Sequence, residues 1–102
     1  MREERVVDTA LEYAPGDPVV VRVVTRDGRE KVTDDGRAAE KAGVSKVPED
    51  VARGVERGYI VNVSRRGEIF LPGARFAGRI GEASLALYQD LLELESPASF
   101  RR

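Results

Sequence analysis

A chain of 102 residues with 17 basic and 18 acidic side chains has a formal charge of −1, so no global field draws it to phosphate backbones. It has no cysteine and no histidine, which excludes disulfides, thiol nucleophiles, the usual zinc clusters, the commonest general base and the Ser-His-Asp arrangement. With 41% hydrophobic and 34% charged residues it reads as a single α+β domain, residues 1–95, with a loose tail, 96–102. No apolar run reaches the roughly 20 residues that cross a bilayer, so a cytoplasmic location with no membrane partner is expected.

Glu3 to Tyr13 carry Val6, Val7, Ala10 and Leu11 at helical spacing, which predicts a short amphipathic helix stopped by Pro15-Gly16. Val19 to Thr25 is a β-branched run with valines on both faces, as in a strand covered on both sides. Asp27-Gly28 supplies a two-residue hairpin turn, and the return strand Arg29 to Thr33 has the charge of a protected edge.

Asp34 and Asp35 then open a helix over Gly36 to Ala42, where a carboxylate caps the first turn. The alternative is a hard cation held by the two aspartates, although no spaced oxygen motif accompanies them. Gly43 ends this helix, Pro48 opens the next over Glu49 to Arg57, and Gly58 ends that one. A ribbon follows, Tyr59 to Ser64 and Glu68 to Leu71, turned by Arg65-Arg66-Gly67.

After Pro72-Gly73 the longest helix runs to about Leu94, with Phe76, Ile80, Ala83, Leu87, Leu91 and Leu94 on one seam. Ala77, Gly81, Leu85, Tyr88 and Leu92 widen its apolar arc, so something must cover that flank, either the N-terminal helix or another chain. The expected fold is α+β: an N-terminal helix, a β-hairpin, two short helices with a second β-hairpin in a winged-helix-like outline, and a long C-terminal helix.

The order of these parts, with Val32-Thr33-Asp34-Asp35-Gly36, Gly43-Val44 and Gly67-Glu68-Ile69, resembles a family of small prokaryotic and phage domains of unknown function, family 1828. The match spans roughly Pro18 to Leu94, and its one sharp motif is Thr-Asp-Asp-Gly. The resemblance implies the same α+β arrangement and brings no catalytic residue with it.

Two functions from different classes follow. The first is a non-enzymatic protein-interaction module or adaptor, a homodimer or a subunit binder, using Leu85, Tyr88 and Leu92 as its seam. The alternative is a winged-helix-like regulator that binds nucleic acid through Arg65 and Arg66 at the ribbon tip, with Arg53 and Arg57 on the preceding helix. Glu49, Asp50 and Glu56 on that helix count against it. Arg75 and Arg79 at the start of the last helix suggest an anion seat or, more simply, a salt bridge. A metal-dependent phosphodiesterase built on Asp34 and Asp35 lacks a base and a phosphate loop, so no enzyme, cofactor or metal is expected.

Overall fold

The computed structural model describes residues 2–95, and the tail expected at 96–102 lies outside them. Five strands come as β1 (Arg2–Ala14), β2 (Asp17–Arg26), β3 (Arg29–Thr33), β4 (Asn62–Val63) and β5 (Ile69–Leu71). Helices α1 (Arg37–Lys41) and α2 (Glu49–Tyr59) lie between β3 and β4, and α3 (Ala77–Glu95) follows β5 after a 3-10 turn at Ala74–Phe76. The strands form one antiparallel sheet in the order β1-β2-β3-β5-β4.

The fold is α+β as expected, but its order is not. The segment read as an N-terminal helix is the long edge strand β1, paired with β2 from Arg2↔Arg26 to Ala14↔Asp17. Pro15-Gly16, read as a helix stop, is the hairpin turn between them, with Gly16 at φ 83. The winged-helix-like outline with a leading helix is thus replaced by a five-stranded sheet backed by helices. The ribbon is also shorter than expected, because α2 runs through Gly58 and ends at Ile60 instead of giving way to a strand at Tyr59.

The register sorts the sheet into two faces. Val19, Val21, Val23, Val32 and Ile69 point to one side, each at most 2% exposed, where they meet Ile80, Ala83, Leu87 and Leu91 of α3. Ala38 and Ala39 of α1 and Val55 of α2 join the same core. The other face, with Val6, Val20, Arg22, Val24, Lys31 and Phe70, has no helix packed on it among the described residues.

The flank of α3 that needed a cover is covered by β1. A bulge between Asp8 and Leu11, with Ala10 at φ 67, brings Thr9 against the helix. Only a residue without a side chain fits opposite, since a Cβ on Gly81 would lie 2.6 Å from Thr9 Cγ2. Further along, the Tyr13 and Tyr88 rings meet edge to face at 5.2 Å.

Gly81→Ala is therefore expected to cost about 1–3 kcal/mol through overpacking. Gly54→Ala, at a helical position with nothing within 4 Å, should instead stabilise by about 0.5–1 kcal/mol. Urea unfolding of the two variants checks the opposite signs.

Candidate functional site

The Thr33-Asp34-Asp35-Gly36 run sits where β3 leaves the sheet and turns into α1. Asp34 is 2% exposed, and both its oxygens are occupied by protein donors. The backbone N–H groups of Ile69 and Gly36 donate to Oδ1 at 2.9 Å, and the Ser84 hydroxyl donates to Oδ2 at 2.7 Å. Ser84 Oγ lies 2.7 Å from the Tyr13 hydroxyl. Because the one Ser84 proton goes to Asp34, Tyr13 is the donor in that contact. Burial pushes the Asp34 carboxyl above its ordinary value, against the pull of these donors. Burial also raises the Tyr13 phenol, which stays protonated and able to donate.

Asp35 points the other way, to the uncovered face. It accepts from Arg22 Nε at 2.9 Å and from Arg22 Nη2 at 2.6 Å, a two-pronged pair. Glu4 takes the remaining Arg22 nitrogen at 2.7 Å, and Asp35 first, then Glu4, hold this guanidinium firmly charged. The Thr33 hydroxyl donates to Glu68 at 2.7 Å and accepts the Asp35 N–H at 2.9 Å. The helix-cap expectation is corrected in detail, since Gly36 is the α1 N-cap and no side chain caps it. The two aspartates instead tie this junction to the elements around it. Their oxygens are engaged by Ile69, Gly36, Ser84 and Arg22.

The residues singled out as an apolar seam are only partly at the surface. Tyr88 is half-buried against Tyr13, whereas Leu92 is 42% exposed. Leu85 lines a shallow groove of about 270 Å³ with Leu11, Tyr59 and Ala86, edged by Glu82 and Gln89. Next to Tyr59, Ile60 is 70% exposed and left-handed, at φ 56 and ψ 59. Sequence reasoning missed it because Gly58 looked like the helix terminator.

Of the basic residues proposed for a nucleic-acid contact, only Arg53 and Arg65 share a cleft, and Glu49 and Glu56 line it with them. Arg53 pairs with Glu49 at 2.6 Å, and Arg57 is exposed on the same helix. The ribbon tip is not a free wing, because Val47 N–H donates to Arg65 O at 3.0 Å. Gly67 at φ +91 is packed so that a Cβ would meet Ala39 Cβ at 2.7 Å. Arg65 opens on a cleft with Lys46, Arg53, Glu49 and Glu56, and Arg66 on another with Asp35, Glu40 and Glu68.

Arg75 and Arg79 instead lie over the Phe76 ring, at 4.7 and 5.2 Å. The Ala74 N–H beside them is taken by the Glu30 carboxylate at 3.0 Å, so the chain supplies its own anion there.

Asp34→Ala should lower stability by about 3 kcal/mol or more, because it strands two backbone N–H groups and a hydroxyl. Asp34→Asn can keep the bonds, its carbonyl oxygen accepting from the two amides and its amide donating to Ser84. A raised carboxyl pKa means the folded state holds the proton more tightly than the unfolded chain. Wild type thus loses stability as pH rises from near 3.8 through the folded pKa, and Asn at this position does not. Chemical denaturation across that range should show the difference moving in favour of Asp34→Asn as pH increases.

No family model, curated protein or solved structure matches the chain, so its functional reading rests on the geometry above.

Proposed function

We propose that this protein is a non-enzymatic interaction module that pairs with a second copy of itself through the outer flank of α3. The observation that carries the reading is the apolar surface left once the core is filled: Leu11, Tyr59 and Leu85 around a groove, with Ile60, next in the chain after Tyr59, and Leu92 of α3 both exposed. An apolar centre with Glu82 and Gln89 at its edge has the make-up of a self-associating patch. Tyr88, on the same helix, is held half-buried by its edge-to-face contact with Tyr13.

Ile60 adds an energetic argument. A β-branched residue in the left-handed region costs about 1–2 kcal/mol relative to Gly or Asn. Its side chain is 70% exposed and returns little of that cost by packing within the chain. Contact with a second copy would recover it by burying the side chain.

Light scattering after size exclusion is expected to give a dimer whose mass does not change with salt. Leu85→Ser should give a monomer. Ile60→Asn should weaken the dimer while raising the stability of the isolated chain by about 1 kcal/mol, since Asn accepts the left-handed conformation. A wild-type monomer at high micromolar concentration, or variants that keep the dimer mass, would sink the proposal.

A further inference from the structure

The uncovered face of the sheet carries a second, chemically different surface. Cross-strand partners share a face, so the pairs Arg2↔Arg26 and Arg26↔Arg29 put three guanidiniums in one row across β1, β2 and β3. Like charges placed directly opposite destabilise a sheet, by roughly 0.2–1 kcal/mol per pair. The neighbouring row shows what a purely structural surface does, since Lys31 there is matched with Glu68 at 2.9 Å. Arg22, one row further on, is held by Glu4 and Asp35.

Arg26 and Arg29 have no carboxylate partner among the described residues, and Arg2 has only Glu4, which Arg22 also uses. Arg2, Arg22, Arg26, Arg29 and Lys31 line one cleft of about 580 Å³ on this face, together with Asp27 and Glu30, whose carboxylate is engaged by the Ala74 N–H.

The same face presents an aromatic surface. Phe70 stands opposite Thr33 and is half-buried, with the Lys31 ammonium 5.0 Å from its ring centroid. Arg29 and Thr33 are four residues apart on β3, about 13 Å at 3.3 Å per residue. The row of guanidiniums and the ring are thus separated by a distance that a short extended strand of nucleotides can bridge.

From this placement we infer that the open sheet face binds single-stranded nucleic acid, with Arg2, Arg26 and Arg29 on the phosphates and Phe70 stacking on a base. An acidic peptide would satisfy the arginines but has no flat ring to set on Phe70. A duplex buries its base faces, so the ring would gain nothing from it. The site is distinct from the flank of α3 and from Arg65 and Arg66, and it does not depend on the dimer.

The test is fluorescence anisotropy with a labelled oligo(dT) of about 20 nucleotides, starting at low salt. Binding is expected, with affinity falling about tenfold or more in Arg26→Thr/Arg29→Thr and about fivefold or more in Phe70→Ala. The slope of log affinity against log salt should shrink by about 1.4 for the arginine pair, at about 0.7 per phosphate lost. Replacing Arg26 and Arg29 relieves their repulsion, so the melting temperature should hold or rise and a lost affinity is not unfolding. Arg2→Thr, at the end of the row, offers a milder loss in the same direction. Arg65→Glu/Arg66→Glu should bind as wild type does.

No binding at low salt would overturn the inference. So would affinity that Arg26→Thr/Arg29→Thr leaves unchanged, or a poly-glutamate peptide or a duplex of equal length bound as tightly as oligo(dT).

Discussion

The buried carboxylate of Asp34 is the point through which the separate parts of this fold are joined. It lies at the exit of β3, takes the backbone N–H of Ile69 in β5 and that of Gly36 at the head of α1, and receives the Ser84 hydroxyl from α3. Through Ser84 it reaches Tyr13 in β1. Three strands and two helices thus meet on one side chain. A carboxylate in so dry a place is costly to keep ionised, and the donors around it are what make it tolerable. The arrangement also sets a direction, since an acceptor at Oδ2 obliges Ser84 to donate to it and Tyr13 to donate to Ser84. Hydrophobic contact between α3 and the sheet is non-directional and would allow the helix to slide. A hydrogen-bonded chain anchored at both ends specifies one setting.

That setting explains why β1 could be mistaken for a helix. Val7 and Leu11 are four residues apart, a spacing that shares a face in a helix and in a strand alike. The exposure alternates from Val7 through Thr9 and Leu11 to Tyr13, which is the period of a strand. Val6 and Ala10, taken for part of the helical stripe, are exposed, while Thr9 and Tyr13 turn inward, and both of these are polar-tipped, so the apolar pattern passed them over. Their meaning is tertiary: Thr9 is opposite Gly81 and Tyr13 is opposite Ser84 and Tyr88. By contrast β2 as a strand, the Asp27-Gly28 turn and the middle of the α3 seam, Ile80 to Leu91, were legible, because β-branched runs, turn glycines and a long helical period are local signals. The cover expected on the second face of β2 is absent among the described residues, Phe76 lies in the 3-10 turn and Leu94 is 45% exposed. Gly58 misled in the opposite way. A glycine near a helix end looks like a terminator, yet the chain places its left-handed residue two positions later, at Ile60.

The candidate sites follow the same division. That Asp34 and Asp35 matter was readable from their position after a strand and before a helix. That one turns inward and the other outward was not, because it depends on which face β3 gives to the core. The arginines at the ribbon tip looked like a wing when only their own neighbourhood was considered. In the fold, Gly67 is wedged between Ala39 and Val47, and the backbone at Arg65 is tied to Val47, so the tip is part of the core's rim. The row Arg2, Arg26 and Arg29 could have been half seen, since a two-residue Asp-Gly turn places Arg26 opposite Arg29 by its own geometry. Arg2 joins them only because β1 is a strand.

The two faces of the sheet therefore answer to different constraints. On the inner face every side chain is judged by volume, so that a single Cβ at Gly81 is too much. On the outer face volume is free and charge decides. Near the Asp35 junction each polar side chain is met: Arg22 by two carboxylates, Lys31 by Glu68, Thr33 by hydrogen bonds on both sides. Moving along the strands toward the Asp27-Gly28 turn, the guanidiniums of Arg2, Arg26 and Arg29 outnumber the carboxylates beside them, Asp27 and Glu30, and pair with neither. A sheet edge can be protected from stray pairing by charges of either sign, and alternating signs would protect it equally well. Protection alone therefore accounts for charge at this end of the sheet and leaves the excess of positive sign unexplained. A ligand of opposite sign accounts for both.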